Sequence, residues 1–273
     1  MNFKLMQLLN YKVFLPENPK YAEDKTPLFI LHGLLGSMDN WRSQAKRFSQ
    51  TRPVYTLDLR NHGGSPHIKG MSYREMYEDV INVTKHERIN QFHLLGHSMG
   101  GKVAMQLALA QAAMVKSLII VDIAPKPYPL WHQKTLQGVL SVPDTAMQSR
   151  QDANEYLKDW IEDDAERSFM LKNLKKNTKP KEGFSWRCDL HEISRGYLKI
   201  AGFSATQQQY SKPTLFIRGE NSAYIQDADL PLIRRIFSDV EIFTINDSGH
   251  LPHFQQPEQF SKKVESFLEK SSG

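Results

Sequence analysis

The residues GHSMG (96–100) set one serine, Ser98, between two glycines that each stand two positions away. An apolar run, FHLL (92–95), precedes them, and a small-residue stretch, GKVAMQLALA (101–110), follows. Strand, tight turn and helix in that order predict a nucleophile elbow, whose strained backbone lifts the serine hydroxyl above the strand tips. The residues two before and two after that serine crowd each other, so both must lack side chains. Gly101, Ala104 and Ala108 let the helix lie close to the sheet. Its N-terminus favours negative charge beside Ser98. A glycine-rich turn with an incidental serine would not need the strand and helix that flank it.

A serine hydroxyl is a weak nucleophile until a base takes its proton. His250, within NDSGHLPHFQQPEQF (246–260), lies between the last strand pattern and the terminal helix pattern. There it can act as general base and then as general acid. His250 and His253 could also be read as a metal pair, but no further histidine or carboxylate cluster joins them, so no metal and no cofactor are expected. His253 is expected to be a pocket-wall or structural residue. His32, His62, His93 and His97 are expected to be hydrogen-bonded structural residues. In LHGLLGS (31–37), His32-Gly33 make a sharp turn that can aim backbone N–H groups at a reacting carbonyl. The expected oxyanion donors are the N–H groups of Leu34 and Met99, with Leu35 as the neighbouring alternative.

The elements that must hold these groups show in the hydrophobic pattern. Runs at 27–33, 53–59, 92–98, 117–125, 213–220 and 240–247 are continuously apolar and end in glycine, proline or aspartate. Such runs predict parallel strands covered on both faces. Helical patterns lie between them, among them 99–113 and a tail with Phe260, Val264, Phe267 and Leu268 on one face. The expected fold is α/β, a mostly parallel central sheet with helices on both faces and ligands at the carboxyl ends of the strands. Residues 126–210 hold no good strand and many aromatics. Ala153, Tyr156, Leu157, Trp160 and Ile161 follow helical spacing, and Leu171 and Leu174 continue it. This predicts a helical cap at 126–210, inserted into a core made of 1–125 and 211–273.

Composition narrows the class. The 273 residues are 40% hydrophobic and 24% charged, enough apolar material for a sizeable core. A net charge of +5 without a basic tract argues against a nucleic-acid partner. Cys188 is the single cysteine, so no intrachain disulfide can form, which fits a reducing compartment. The start, MNFKLMQLLNYKVFLPENP, is interrupted by Lys4, Gln7, Asn10 and Lys12 and reads as no signal peptide. No run approaches the ~18 apolar residues of a membrane span. A cytoplasmic monomer or homodimer acting on a small molecule is expected.

With these segments in order, the chain resembles the α/β-hydrolase fold superfamily. HGLLGS, DLRNHGGSP, GHSMGG, VDIAP and GHLPHFQQPEQF occur in the family's order and span nearly the whole chain. DLRNHG and VDIAP make it similar to the YbfF-like esterase subgroup. Relatives in menaquinone synthesis share HG-x-L-G-S and G-x-S-x-G-G but usually carry Pro-Gly where this chain has Arg60-Asn61. Epoxide hydrolases and dehalogenases place an aspartate at the nucleophile position, and Ser98 argues against both. The resemblance implies a Ser-His-Asp triad, ester hydrolysis and no cofactor.

The acid is where the chain departs from the family pattern. In most of the family it follows the strand PTLFIRGE as G-x-x-D, which here reads Gly219-Glu220-Asn221-Ser222. Asp227 or Glu220 could reach in from that loop. Alternatively the acid stands one strand over, at Asp122 in IIVDIAP, the position the subgroup uses. Both strand tips are expected to flank His250, and Asp122 follows a run whose burial would be costly for an unpartnered carboxylate. Asp122 is therefore the expected acid, while Asp247 is too near His250 in sequence and shapes the turn. DLRNHGGSP (58–66) is expected to be a loop held by its own hydrogen bonds, and Trp41 to line the pocket or the core.

The reading that results is a serine carboxylesterase for short-to-medium acyl esters. LKNLKKNTKPK (171–181) carries five lysines and no acid. It is either a solvated face or an attraction for an anionic leaving group such as coenzyme A, which keeps an acyl-CoA thioesterase as the alternative. A hydrolase-fold ligand receptor or signalling protein with slow turnover, and a C–C bond hydrolase or lyase, would use the same residues.

Overall fold

In a strand, successive side chains point to opposite faces, so an unbroken apolar run feeds two cores at once. The computed structural model, which describes residues 8–18, 26–178, 182–203 and 208–271, is built on this division. Strands β1 (Tyr11–Phe14), β2 (Leu28–Leu31), β3 (Val54–Leu57), β4 (Phe92–His97) and β5 (Val115–Val121) alternate with helices α1 (Arg42–Phe48), α2 (Tyr73–His86) and α3 (Met99–Ala110). From β2, Phe29 and Leu31 enter one core while Leu28 and Ile30 enter the other. From β5, Leu118 and Ile120 go one way, Ile119 and Val121 the other.

After β5 come α4 (Gln133–Ser141), α5 (Arg150–Leu157), α6 (Asp164–Leu171), β6 (Leu174–Lys176), β7 (Phe184–Trp186) and α7 (Leu190–Ala201). The chain then returns through β8 (Thr214–Gly219), α8 (Leu230–Ile236), β9 (Val240–Ile245), α9 (Pro252–Gln255) and α10 (Pro257–Lys270). The seven-stranded sheet has the order β1-β3-β2-β4-β5-β8-β9. Only β1 runs antiparallel, against β3. Buried residues of α2, α3 and α8 belong to one core, those of α1 and α10 to the other. Phe260, Val264, Phe267 and Leu268 of α10 are all buried, as their spacing predicts.

Two expectations need correction. The region 126–210 does contain strands: β6 and β7 form an antiparallel pair, Leu174 opposite Trp186 and Lys176 opposite Phe184. Each is three residues long, too short for alternation to reveal it. The helix expected through Ile161 ends at Leu157, although Ala153, Leu157 and Ile161 are buried as the spacing implies. Strand β1 was not among the expected strands, because it is a half-buried edge with no continuous apolar run. Residues 1–7, on which part of the reading of the N-terminus rests, and Lys179 and Lys181 lie outside the described residues. No helix among the described residues is long and apolar enough to cross a membrane.

At the junction of β4 and α3 backbone packs closely on backbone. Ser98 caps α3 with φ 53° and ψ −118°, in the left-handed half of backbone space that non-glycine residues seldom visit. A Cβ added to Gly96 would stand 2.2 Å from the carbonyl oxygen of Gly100, and one added to Gly100 would stand 2.4 Å from that of His32. Those neighbours are backbone and cannot swing aside. Gly96→Ala is expected to cost about 2 kcal/mol, read in a thermal melt as a fall in Tm of roughly 4–8 °C; an unchanged Tm would mean that the elbow has room for a side chain.

Candidate active site

Ser98 sits on the elbow at the carboxyl end of β4, 9% exposed. Its backbone N–H donates to the carbonyl of Val121 on the neighbouring strand (3.0 Å), which anchors the strained turn. His250 follows β9 and reaches back over the sheet. Its Nε2 lies 3.0 Å from Ser98 Oγ and its Nδ1 2.8 Å from Asp122 Oδ2. Serine, imidazole and carboxylate thus form one hydrogen-bonded line. With Nδ1–H donating to Asp122, Nε2 is left to accept from the serine hydroxyl.

Asp122 ends β5 with φ 50° and no solvent exposure. Strands β5 and β8 pair in parallel, with Val121 opposite Ile217. This pairing brings the N–H of Gly219 to 3.1 Å from Asp122 Oδ1. Ser222, which occupies the position where an aspartate was expected, donates its hydroxyl to Asp122 Oδ2. A buried carboxylate needs such donors to be tolerated. The other candidate acids are turned elsewhere. Asp227 pairs with Arg218 at 2.7 Å, its side chain 84% exposed. Glu220 Oε2 accepts from the N–H of Asp247 at 3.0 Å.

The loop after β2 lies against the serine. A Cβ on Gly33 would meet Ser98 Cβ at 3.2 Å, which is how closely His32-Gly33 approaches the elbow. Leu34 and Met99 both line the pocket with Ser98. Met99 is the first residue of α3, so its N–H has no partner within the helix. Among the described residues neither it nor the N–H of Leu34 donates to the protein. Leu35 differs: its N–H donates to His62 Nε2 at 3.2 Å, and its carbonyl accepts from Asn173 at 2.6 Å. Leu35 is therefore occupied, whereas among the described residues the N–H groups of Leu34 and Met99 have no protein acceptor.

His32, His93, His97 and His253 are each held by contacts away from the Ser98–His250–Asp122 line. His32 accepts from the N–H of Leu59, and His93 contacts Ser117. His97 is buried and its Nε2 donates to the carbonyl of His250 at 2.8 Å, fixing the backbone that carries that imidazole. Burial first, and then the nearby His250, hold His97 well below the ordinary imidazole range, so it is neutral. His253 stacks on Trp41 with ring centroids 4.2 Å apart, which places Trp41 in the core rather than the pocket. Arg60 pairs with Asp79 of α2 and Asn61 closes onto Ile68, so the 58–66 loop is held by side-chain hydrogen bonds to the segments that follow it. No group of three or more metal-ligating side chains occurs among the described residues.

The pocket has a volume of about 40 Å³ and is walled by Tyr73, Ile123, Trp131, Tyr197 and Tyr224, among others. Lys102, one turn beyond Ser98, lies at its wall and donates to the carbonyls of Ala201 and Gly202 at 2.9 and 2.8 Å. Burial drives its ammonium down to about 7. Sequence reasoning gave no role to Lys102, Ser222 or Tyr224. The one signal for Ser222 was the missing aspartate of G-x-x-D.

Residues 26–257 match the family model described as alpha/beta hydrolase fold. An sn-1-specific diacylglycerol lipase, ABHD11 of Danio rerio, is 37% identical over 90% of this chain and 79% of that protein. Esterase YbfF of Escherichia coli is 26% identical over 90% of this chain and 94% of its own. The solved structure titled "Marine microorganism esterase" superposes with a TM-score of 0.88 at 35% identity, covering 96% of this chain and 99% of that one.

The two placements of the acid make opposite demands on mutants. Asp122→Asn is expected to lower kcat on an activated ester by about 10⁴-fold, whereas Asp227→Asn leaves it within twofold of wild type. Steady-state kinetics on the two purified variants checks this, and the reverse pattern would move the acid to the loop after β8.

Proposed function

Because this chain belongs to the α/β-hydrolase fold family, we propose that it is a serine carboxylesterase working by two-step acyl transfer. Ser98 Oγ attacks the ester carbonyl while His250 Nε2 takes its proton. The N–H groups of Leu34 and Met99 receive the developing oxyanion. As the tetrahedral intermediate collapses, His250 returns the proton to the departing alkoxide, leaving an acyl-enzyme on Ser98. Water then attacks with His250 again as base, and Ser98 is released. Asp122 holds the imidazole in the productive tautomer and balances the imidazolium formed in each half-reaction. The observation that carries this reading is the unbroken line from Ser98 Oγ through His250 to the buried Asp122.

The pocket suggests the substrate class. At about 40 Å³ it takes only a few non-hydrogen atoms, which favours the short end of a short-to-medium acyl range. Trp131, His132 and Tyr197 come from residues 126–210 and wall that volume, so we assign this segment as a cap over the acyl site. Longer chains, such as those the diacylglycerol lipase relative is named for, would require these side chains to move. In a p-nitrophenyl panel from acetyl to palmitoyl, kcat/KM is expected to peak at acetyl to butyryl and to drop at least tenfold by palmitoyl. Ser98→Ala should abolish both turnover and fluorophosphonate labelling. A flat panel would point to a mobile cap, and labelling retained in Ser98→Ala would remove the nucleophile.

An acyl-CoA thioesterase is the second reading, and one observation favours it. Asn173 ties the start of β6 to Leu35 of the oxyanion loop, and Lys172, Lys175 and Lys176 beside it are exposed. They could attract the phosphates of a coenzyme A leaving group. Lys175→Gln/Lys176→Gln is then expected to lower kcat/KM for butyryl-CoA several-fold at low salt while p-nitrophenyl butyrate is unaffected. Equal effects on both substrates would leave the lysines as a solvated face.

A further inference from the structure

The ring of Tyr224 lies face to face with the imidazole of His250, centroids 3.7 Å apart and planes inclined by 14°. The acyl-transfer steps make no use of it. Tyr224 stands two residues beyond Ser222 and is fixed on several sides. Its N–H donates to Ser222 Oγ at 3.2 Å, and its carbonyl accepts from the Tyr128 hydroxyl at 2.5 Å. Its own hydroxyl meets His132 Nε2 at 3.0 Å, and Trp131 stands edge-on to its ring. A side chain so restrained cannot easily leave the imidazole it covers.

The rest of the surroundings of His250 sharpen what that ring can do. Asp122 is bonded at Nδ1 and Ser98 at Nε2. His97, tilted with its centroid 4.7 Å away, is neutral. His253 and His132 feel the charge of His250, but burial drives them down to about 3 and about 4, so neither is a cation at neutral pH. Burial holds the Tyr224 hydroxyl well above its ordinary range, which keeps it a neutral phenol. Lys102 is committed to the carbonyls of Ala201 and Gly202. The imidazole therefore meets one anion, neutral histidines and one stacked aromatic face.

An aromatic face attracts a cation through its quadrupole and attracts a neutral ring less. In the proposed mechanism His250 becomes a cation when it takes the proton of Ser98. A contact that strengthens at that moment lowers the barrier rather than merely binding the ground state. We infer that Tyr224 is a positioning residue for the general base: its stacked ring stabilises the imidazolium form of His250 and keeps the imidazole in line between Asp122 and Ser98. This rests on the reading of His250 as the base in the proposed esterase mechanism.

The sign of the pH effect follows. His250 must be unprotonated to accept the serine proton, so kcat/KM falls as pH drops through its acid limb. Removing a face that stabilises the protonated ring makes protonation harder and moves that limb to lower pH.

The test compares Tyr224→Phe with Tyr224→Leu and Tyr224→Gln, the last two supplying separate non-aromatic variants in case one does not fold. Phe keeps the ring and loses only the hydroxyl contact to His132. It is expected to stay within about threefold of wild type in kcat with an unmoved acid limb. Leu and Gln are expected to lower kcat by roughly 3- to 30-fold, with the acid limb displaced to lower pH. Thermal melts identify the folded variants. An unmoved or upward-moving limb in the folded non-aromatic variants, or a loss in Phe equal to theirs, would overturn the inference. Fluorophosphonate labelling of wild-type Ser98 separates the two readings. Without labelling the esterase mechanism itself fails, whereas labelling with unaltered Tyr224 variants removes only the role of Tyr224.

Discussion

Asp122 is a carboxylate with no access to solvent, and a buried charge is tolerable only where donors surround it. Its donors come from separate places in the chain: the N–H of Gly219 at the end of β8, the hydroxyl of Ser222 beyond it, and the imidazole of His250 after β9. The carboxylate thus draws three strand ends to one point. Removing any one donor leaves part of the charge unsolvated. The geometry of the site depends on this convergence, because in the proposed mechanism an imidazole free to choose its tautomer or tilt would be a poor base for a neighbouring hydroxyl.

The elbow supplies the second constraint. The glycines flanking Ser98 allow β4 and α3 to meet with backbone almost touching backbone. The strained serine is anchored by its N–H on Val121, the residue before Asp122. Ser98 and Asp122 are therefore tied through one pair of adjacent strands, and His250 bridges them. His97, the variable residue of the elbow motif, holds the backbone carbonyl of His250. Buried and neutral, it serves as a strut for that segment.

Much of the fold was legible because burial on both faces leaves a one-dimensional record. The six strands expected from apolar runs all form, in a parallel arrangement, and the terminal helix buries the residues its spacing assigns. What was missed lacked such a record. Strand β1 is a half-buried edge, and the β6–β7 pair is too short for a period to emerge. Helix α5 stops at Leu157 although Ile161 remains buried, because an apolar side chain can be covered from a turn as well as from a helix. In the site, Tyr224 left no mark at all, since stacking on an imidazole needs no spacing relation between the partners.

The sequence by itself determined the groups whose geometry is local. Gly96, Ser98 and Gly100 lie within five residues, so strand, turn and helix propensity are enough to shape the elbow. The sequence also placed a histidine after the last strand. Asp122 was expected over Asp227 and Glu220 to meet that histidine, and the pairing of β5 with β8 supplies the geometry that brings them together, with Ser222 turned toward Asp122 while Arg218 draws Asp227 outward. The choice between Leu34 and Leu35 likewise waited for His62 and Asn173 to occupy Leu35. Contacts between residues about a hundred positions apart are set by strand order and competing hydrogen bonds, and neither leaves a periodic trace in the chain.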